Sequence, residues 1–257
     1  MSEATFELAS DPAAAAAAAN VVAAIADNKY FLARRLAEWG VAAPTLESAV
    51  ACTAIAQEEA GHARALYSLL ADFPRDVAPV ALEREGDRER KYALAAVLLA
   101  DGSFVRGIGV FTLVDRALTI MLEACAASAF GELRRRANRI LGDEPFHRRY
   151  ADGRVRELAG RSDFERVLAA LLPEVLCWFG PAGEEGLELL VERGIVVSRN
   201  EELRQAFLAS LGELAERTGV RLPIERGEDG WTHPELPWAE WKRLERRLPS
   251  RVTTKAA

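Results

Sequence analysis

The chain has 257 residues, half of them apolar and 28% charged, with a formal charge of -6. That length supports a sizeable buried core in one or two domains. The acidic balance excludes functions that need a basic surface for phosphate backbones, so nucleic acid is not an expected partner. No apolar run reaches the length of a membrane span, and the acidic start MSEATFELASDP lacks the basic leader of a signal peptide. Cys52, Cys125 and Cys177 match no zinc spacing. A cytoplasmic protein with reduced, buried thiols is the expectation.

Alanine, leucine, glutamate and arginine dominate, all good helix formers, so an all-α fold is expected. After Ser10, Asp11 and Pro12 an alanine tract opens a helix over about 12–39, closed by Gly40. A turn, GVAAPT, leads to a second helix over about 45–71. The polar connection DFPRDVAPVALEREGDRER follows, then a short helical KYALAAVLLA. Ser103 is placed to cap a third helix over about 104–130, and Gly131 separates it from a fourth, about 132–160. Two helical hairpins joined by one long crossover suit a four-helix bundle. The locally basic ELRRRANRI and KRLERRL are mixed with acids and read as solvated helix faces.

Beyond Ser162 the helices shorten, with DFERVLAALLPEVLCWFG, EEGLELLVERG and NEELRQAFLASLGELAERTG each ending near a glycine. Residues 1–222 are read as the bundle with a helical extension. Residues 223–257 are read as an irregular arm with a short helix and a disordered tail from 250. Trp231, Trp238 and Trp241 cluster in that arm, either to pack on the bundle or to dock on a partner subunit.

Charged residues interrupt the apolar stripes at one level of the bundle. The second helix runs Cys52, Ile55, Glu59, His62, Leu66, Leu69, so Glu59 and His62 point inward. The fourth repeats the pattern with Leu133, Ala137, Ile140, Glu144, His147, Ala151. The third places Asp115 among Phe104, Ile108, Phe111, Leu118 and Leu122; the first places Lys29 among Val22, Ile25, Leu32, Leu36 and Trp39. Two E-x-x-H pairs facing each other, with a carboxylate from each remaining helix, form a carboxylate-rich di-metal cage. Such oxygen and imidazole donors suit iron or manganese. The bland counterpart is a set of buried salt bridges without metal.

QEEAGHARALY, LVDRALT and DEPFHRR resemble the helix B, helix C and second E-x-x-H segments of the ferritin-like di-iron family. Within it they are most similar to the phenylacetic acid catabolic proteins, in particular the catalytic oxygenase subunit of phenylacetyl-CoA epoxidase. CWFGPAGEEG and RNEELRQAFLASL resemble the C-terminal helices of that subunit. ADNKYFLARRLAEWGVAAPTLE is instead similar to the sister, non-catalytic subunit. The likeness covers roughly residues 20–222.

The resemblance implies Glu59, His62, Asp115, Glu144 and His147 as metal ligands, with Glu59, Asp115 and Glu144 in the catalytic set. Lys29 stands where the family carries a glutamate. Asp27 is close in sequence, but a two-residue step turns a side chain about 200° around a helix, so it should face elsewhere. Three carboxylates and one ammonium, with neutral histidines, balance one divalent ion or leave Lys29 as a counter-ion bridging Glu59 and Asp115. Fewer than two iron or manganese ions are therefore expected. Pro145 should remove the bond to the Leu141 carbonyl and bend the fourth helix.

By that likeness the chain is expected to be a di-iron-type oxygenase acting on a CoA thioester, with a homologous helical subunit and a separate reductase as partners in an oligomer. The alternative is a non-catalytic scaffold or regulatory subunit whose site is held by Lys29 salt bridges. Iron storage fits less well, because the long C-terminal extension is foreign to cage-forming ferritins.

Overall fold

The computed structural model describes residues 7–77, 92–98, 103–228 and 230–249. The described residues are mostly helical: α1 (Pro12–Val41), α2 (Leu46–Leu70), α3 (Ala95–Leu98), α4 (Phe104–Cys125), α5 (Gly131–Leu141), α6 (Glu144–Leu158), α7 (Ser162–Trp178), α8 (Glu185–Glu192) and α9 (Asn200–Thr218). A small antiparallel hairpin, β1 (Glu225–Gly227) with β2 (Gly230–Thr232), lies in the arm. The expected all-α architecture is the one observed. No described helix is long and apolar enough to cross a membrane. The expected tail from residue 250, and most of the crossover, lie outside the described residues.

Caps set the bundle boundaries. Asp11 accepts the Ala14 N–H at 3.0 Å, Thr45 accepts Ser48 at 3.2 Å, and Ser103 accepts Arg106 at 3.3 Å, each satisfying an N-terminal donor. Every stripe residue named above is buried, including the charged ones, except the half-buried Phe104 at the start of α4. The α1–α2 hairpin packs on α4, and α4 in turn on α5, α6 and α7. Gly107 of α4 makes room for Trp39 of α1: a Cβ there would lie 2.5 Å from the indole ring.

Two expected helices end differently. The third stops at Cys125 rather than 130, because the next segment is tied to a distant loop. Ala129 donates to Gly194 O at 2.8 Å, and Val197 donates to Ala124 O at 3.0 Å. The expected fourth helix is two, α5 and α6, broken at Gly142 and Asp143. Pro145 has no N–H to continue the ladder, and α6 starts afresh with Glu144 and Pro145 in its first turn. The expected bend is a full break.

The arm folds back on its own chain. Trp231 sits over Gly212 of α9, where any β-carbon would collide with the indole. Gln205 holds the Trp231 backbone by two hydrogen bonds of 2.9 Å. Arg204 stacks on Trp238, 5.1 Å from the ring centre. The three cysteines are free and buried.

Candidate metal centre

Lys29 is fully buried at the middle of the bundle. Its Nζ donates to Glu59 Oε1 at 2.6 Å, Asp115 Oδ1 at 2.9 Å and Glu144 Oε1 at 2.8 Å. The ammonium thus engages one oxygen from each carboxylate of the expected ligand set, and its three N–H donors match three acceptors. Sequence reasoning named Glu59 and Asp115 as its partners. Glu144 is the third, brought within reach because α6 restarts at that residue.

His147 Nδ1 faces the same point, 3.3 Å from Glu59 Oε1, 3.8 Å from Asp115 Oδ2 and 3.7 Å from Glu144 Oε2. His62 stands beside the cluster, its Nδ1 3.5 Å from Glu59 Oε1. Both rings are fixed from outside by acids that sequence reasoning did not single out. His147 Nε2 meets Glu58 at 2.8 Å, and His62 Nε2 meets Asp143 at 3.0 Å. The signal was visible: each acid immediately precedes the glutamate of an E-x-x-H pair. Asp27 turns away as expected, accepting from the Tyr67 hydroxyl at 2.9 Å and from the Tyr92 N–H at 3.2 Å.

The charges are strongly perturbed. Burial alone would lower the Lys29 pKa, but Asp115, Glu144 and Glu59 together hold it well above the usual lysine value. Burial opposes ionisation of Glu59, and Lys29 overrides it, bringing the pKa to about 2. Asp115 is depressed in the same way, with burial opposed by Lys29 and then His147. Glu144 goes the other way, because burial and the Asp115 charge outweigh Lys29 and push it up to about 7. Burial pulls His147 down, yet Asp115 and Glu59 more than reverse this, and it sits at about 11.

The resulting balance differs from the count made with neutral histidines. Protonated Lys29 and His147 offset ionised Glu59 and Asp115, and Glu144 carries a proton below neutrality. At pH values below that point the charges of these five side chains cancel. The Thr119 hydroxyl lies within donating distance of two acceptors there, Glu144 Oε2 at 2.8 Å and the Asp115 carbonyl at 2.9 Å.

The donors fit one metal ion better than two. Ligand atoms of Glu59, Asp115, Glu144 and His147 all lie within 4.8 Å of one another. Glu59 Oε2 and His62 Nδ1 are buried without a hydrogen-bond partner, the condition expected of atoms shaped for a cation, whereas His147 would have to release a proton to ligate one. Oxygen donors with an imidazole suit a hard or borderline divalent ion. A second ion does not fit, because Lys29 already occupies an oxygen of all three carboxylates.

A family model described as phenylacetic acid catabolic protein matches residues 1–249. No curated protein matches the chain.

Proposed function

We propose that this chain, which belongs to the phenylacetic acid catabolic protein family, is a ferritin-like subunit of a multicomponent oxygenase whose own centre is closed by Lys29. In this reading dioxygen chemistry resides on a homologous helical subunit supplied by a separate reductase. The substrate is an acyl-CoA thioester of the phenylacetate type, and this chain serves as scaffold or regulator. The observation that supports it is the Lys29 ammonium held by three carboxylates at 2.6–2.9 Å. Freeing one member of such a buried ionic group costs about 3–5 kcal/mol, a penalty any incoming cation would have to overcome.

A second reading keeps the oxygenase on this chain. Two unpartnered buried donor atoms, Glu59 Oε2 and His62 Nδ1, favour it, together with the outer carboxylates Glu58 and Asp143 that orient the imidazoles. Glu59, Asp115, Glu144 and His147 would hold one iron, or manganese, with His62 adjacent. Bound iron would supply dioxygen activation; the protein would fix its position and exclude water.

Anaerobic loading of the purified chain with Fe(II), followed by elemental analysis, separates the two. The scaffold reading expects substoichiometric iron and tight co-purification with a metal-loaded homologue. One tightly held iron per chain, with oxygen-dependent colour in the isolated subunit, would overturn it in favour of the second.

A further inference from the structure

The outer side of α2 carries too few charges for a solvated helix face. Leu46, Val50, Thr53, Gln57, Gly61 and Arg64 follow one another at steps of three and four, so they share one side of the helix. All are exposed except Gly61, which is half-buried. Leu46 is 76% and Val50 61% exposed. No charge interrupts the row before Arg64, on a chain in which 28% of the residues are charged.

The two halves of this face differ in relief. The first half bears the projecting Leu46 and Val50. The second opens on a groove of about 340 Å³ between α2 and α5, walled by Gly61, Ala65 and Ile140 together with the exposed Arg64 and Arg139. Glu58 and Asp143 also border it, but they are engaged with His147 and His62. A Cβ on Gly61 would meet nothing within 4 Å. Alanine there would favour the helix by about 1 kcal/mol, and no contact inside the chain forbids it. The bare backbone leaves room for something that arrives from outside.

Projection and groove match when the helix is turned end for end. Consider an antiparallel pair about a two-fold axis level with Ile55 and Ala56. Val50 of one copy then faces Gly61 of the other, Leu46 faces Ala65, and Glu47 faces Arg64. Each contact occurs twice, as an isologous interface requires. One register thus sets both large side chains against small ones and an acid against a base. A parallel pair in register would instead set Val50 against Val50 and Arg64 against Arg64. We infer that α2 docks on α2 of a second copy of this chain, with Leu46 and Val50 of each seated in the groove of the other.

The size of the contact sets its strength. Residues 46–65 span about 30 Å of a helix about 10 Å wide. That strip is roughly 300 Å² per copy, against about 800 Å² per partner in stable complexes. The dimer is therefore weak and concentration-dependent. It forms on the outside of α2 whether or not the bundle centre takes a metal, so its failure leaves the reading of that centre intact.

Sedimentation velocity of the full chain, from low to high micromolar concentration, tests this and should show a monomer–dimer equilibrium. Val50→Arg puts a charge on the projecting half, and Gly61→Leu fills the groove. Each should weaken the dimer about tenfold or more, with the thermal transition kept because both positions open to solvent. Glu47→Arg should weaken it about threefold, and the exchange E47R/R64E should recover that loss. A chain that stays monomeric throughout overturns the inference, as does a dimer indifferent to Val50→Arg and Gly61→Leu. A chain that is monomeric alone and pairs through this face only with a homologous helical subunit overturns it in that partner's favour. An exchange variant no better than Glu47→Arg overturns the antiparallel pairing.

Discussion

Glu58 of α2 meets His147 of α6 at 2.8 Å, across the bundle rather than along its own helix. Asp143 returns the contact to His62 of α2 at 3.0 Å. Each acid precedes the glutamate of one E-x-x-H pair and holds the histidine of the other, so the two motifs lock each other's rings. His147 is buried while Glu58 is partly open to water. Glu58→Ala should therefore lower stability by about 1 kcal/mol, with water replacing part of the lost bond. Glu58→Gln, whose amide oxygen still accepts, should lose less. Urea titration measures both, and equal losses would show that charge, not the hydrogen bond, carries the effect.

The four inward stripes were legible in the sequence because helical periodicity is local, and a charge among leucines and alanines marks its own face. Glu59, His62, Asp115, Glu144, His147 and Lys29 were found that way, and all are buried at one level. The crossed pairing of Glu58 and Asp143 was not legible, because it depends on how two helices sit side by side. The break before α6 was half legible: Pro145 signalled a disturbance, but Gly142 and Asp143 turned a bend into a stop. The early end of α4 was hidden altogether, since it rests on Ala129 reaching Gly194, 65 residues away. The proton on His147 was not legible either, for a related reason. A histidine's protonation depends on which carboxylates face it, and periodicity alone does not supply that.

Gly107 lets the Trp39 indole lie against α4. Gly107→Ala improves helix propensity by about 1 kcal/mol, yet it forces the ring of a residue only 2% exposed to move. Overpacking of this kind costs about 1–3 kcal/mol. The expected result is a net loss of stability together with a changed near-ultraviolet circular dichroism signal from Trp39. A gain in stability would mean that the two helices slide apart at little cost.

The bundle centre should make stability depend on pH in a way opposite to ordinary acid denaturation. Glu144 rises from 4.5 to about 7 on folding. Between those values the folded state keeps a proton that the unfolded chain has lost, so stability falls as pH rises through the interval. His147, held at about 11 against 6.5 unfolded, continues the decline at higher pH. Glu59 acts in reverse, its contribution vanishing as pH falls from 4.5 toward about 2. Glu144→Gln should flatten the profile between pH 5 and 7 by up to about 1.4 kcal/mol per pH unit. Parallel wild-type and variant profiles, from denaturant titrations at closely spaced pH values, would rule out a buried proton on Glu144.

Lys29 offers the most direct intervention, because one residue decides between an ionic cluster and a metal cage. Lys29→Met keeps the volume and removes the charge, stranding the Glu59 and Asp115 carboxylates with His147 as their only strong counter-ion. The expected cost is about 3–5 kcal/mol at pH 7, and it should shrink at pH 5 as those carboxylates take up protons. Lys29→Glu adds a fourth carboxylate in place of the ammonium and should fold poorly alone. Divalent ions should rescue it, with Fe(II) or Mn(II) raising its melting temperature and elemental analysis moving toward two ions per chain. The wild type should stay below two under the same loading. Identical metal content in Lys29→Glu and wild type would mean that something other than this ammonium limits the centre.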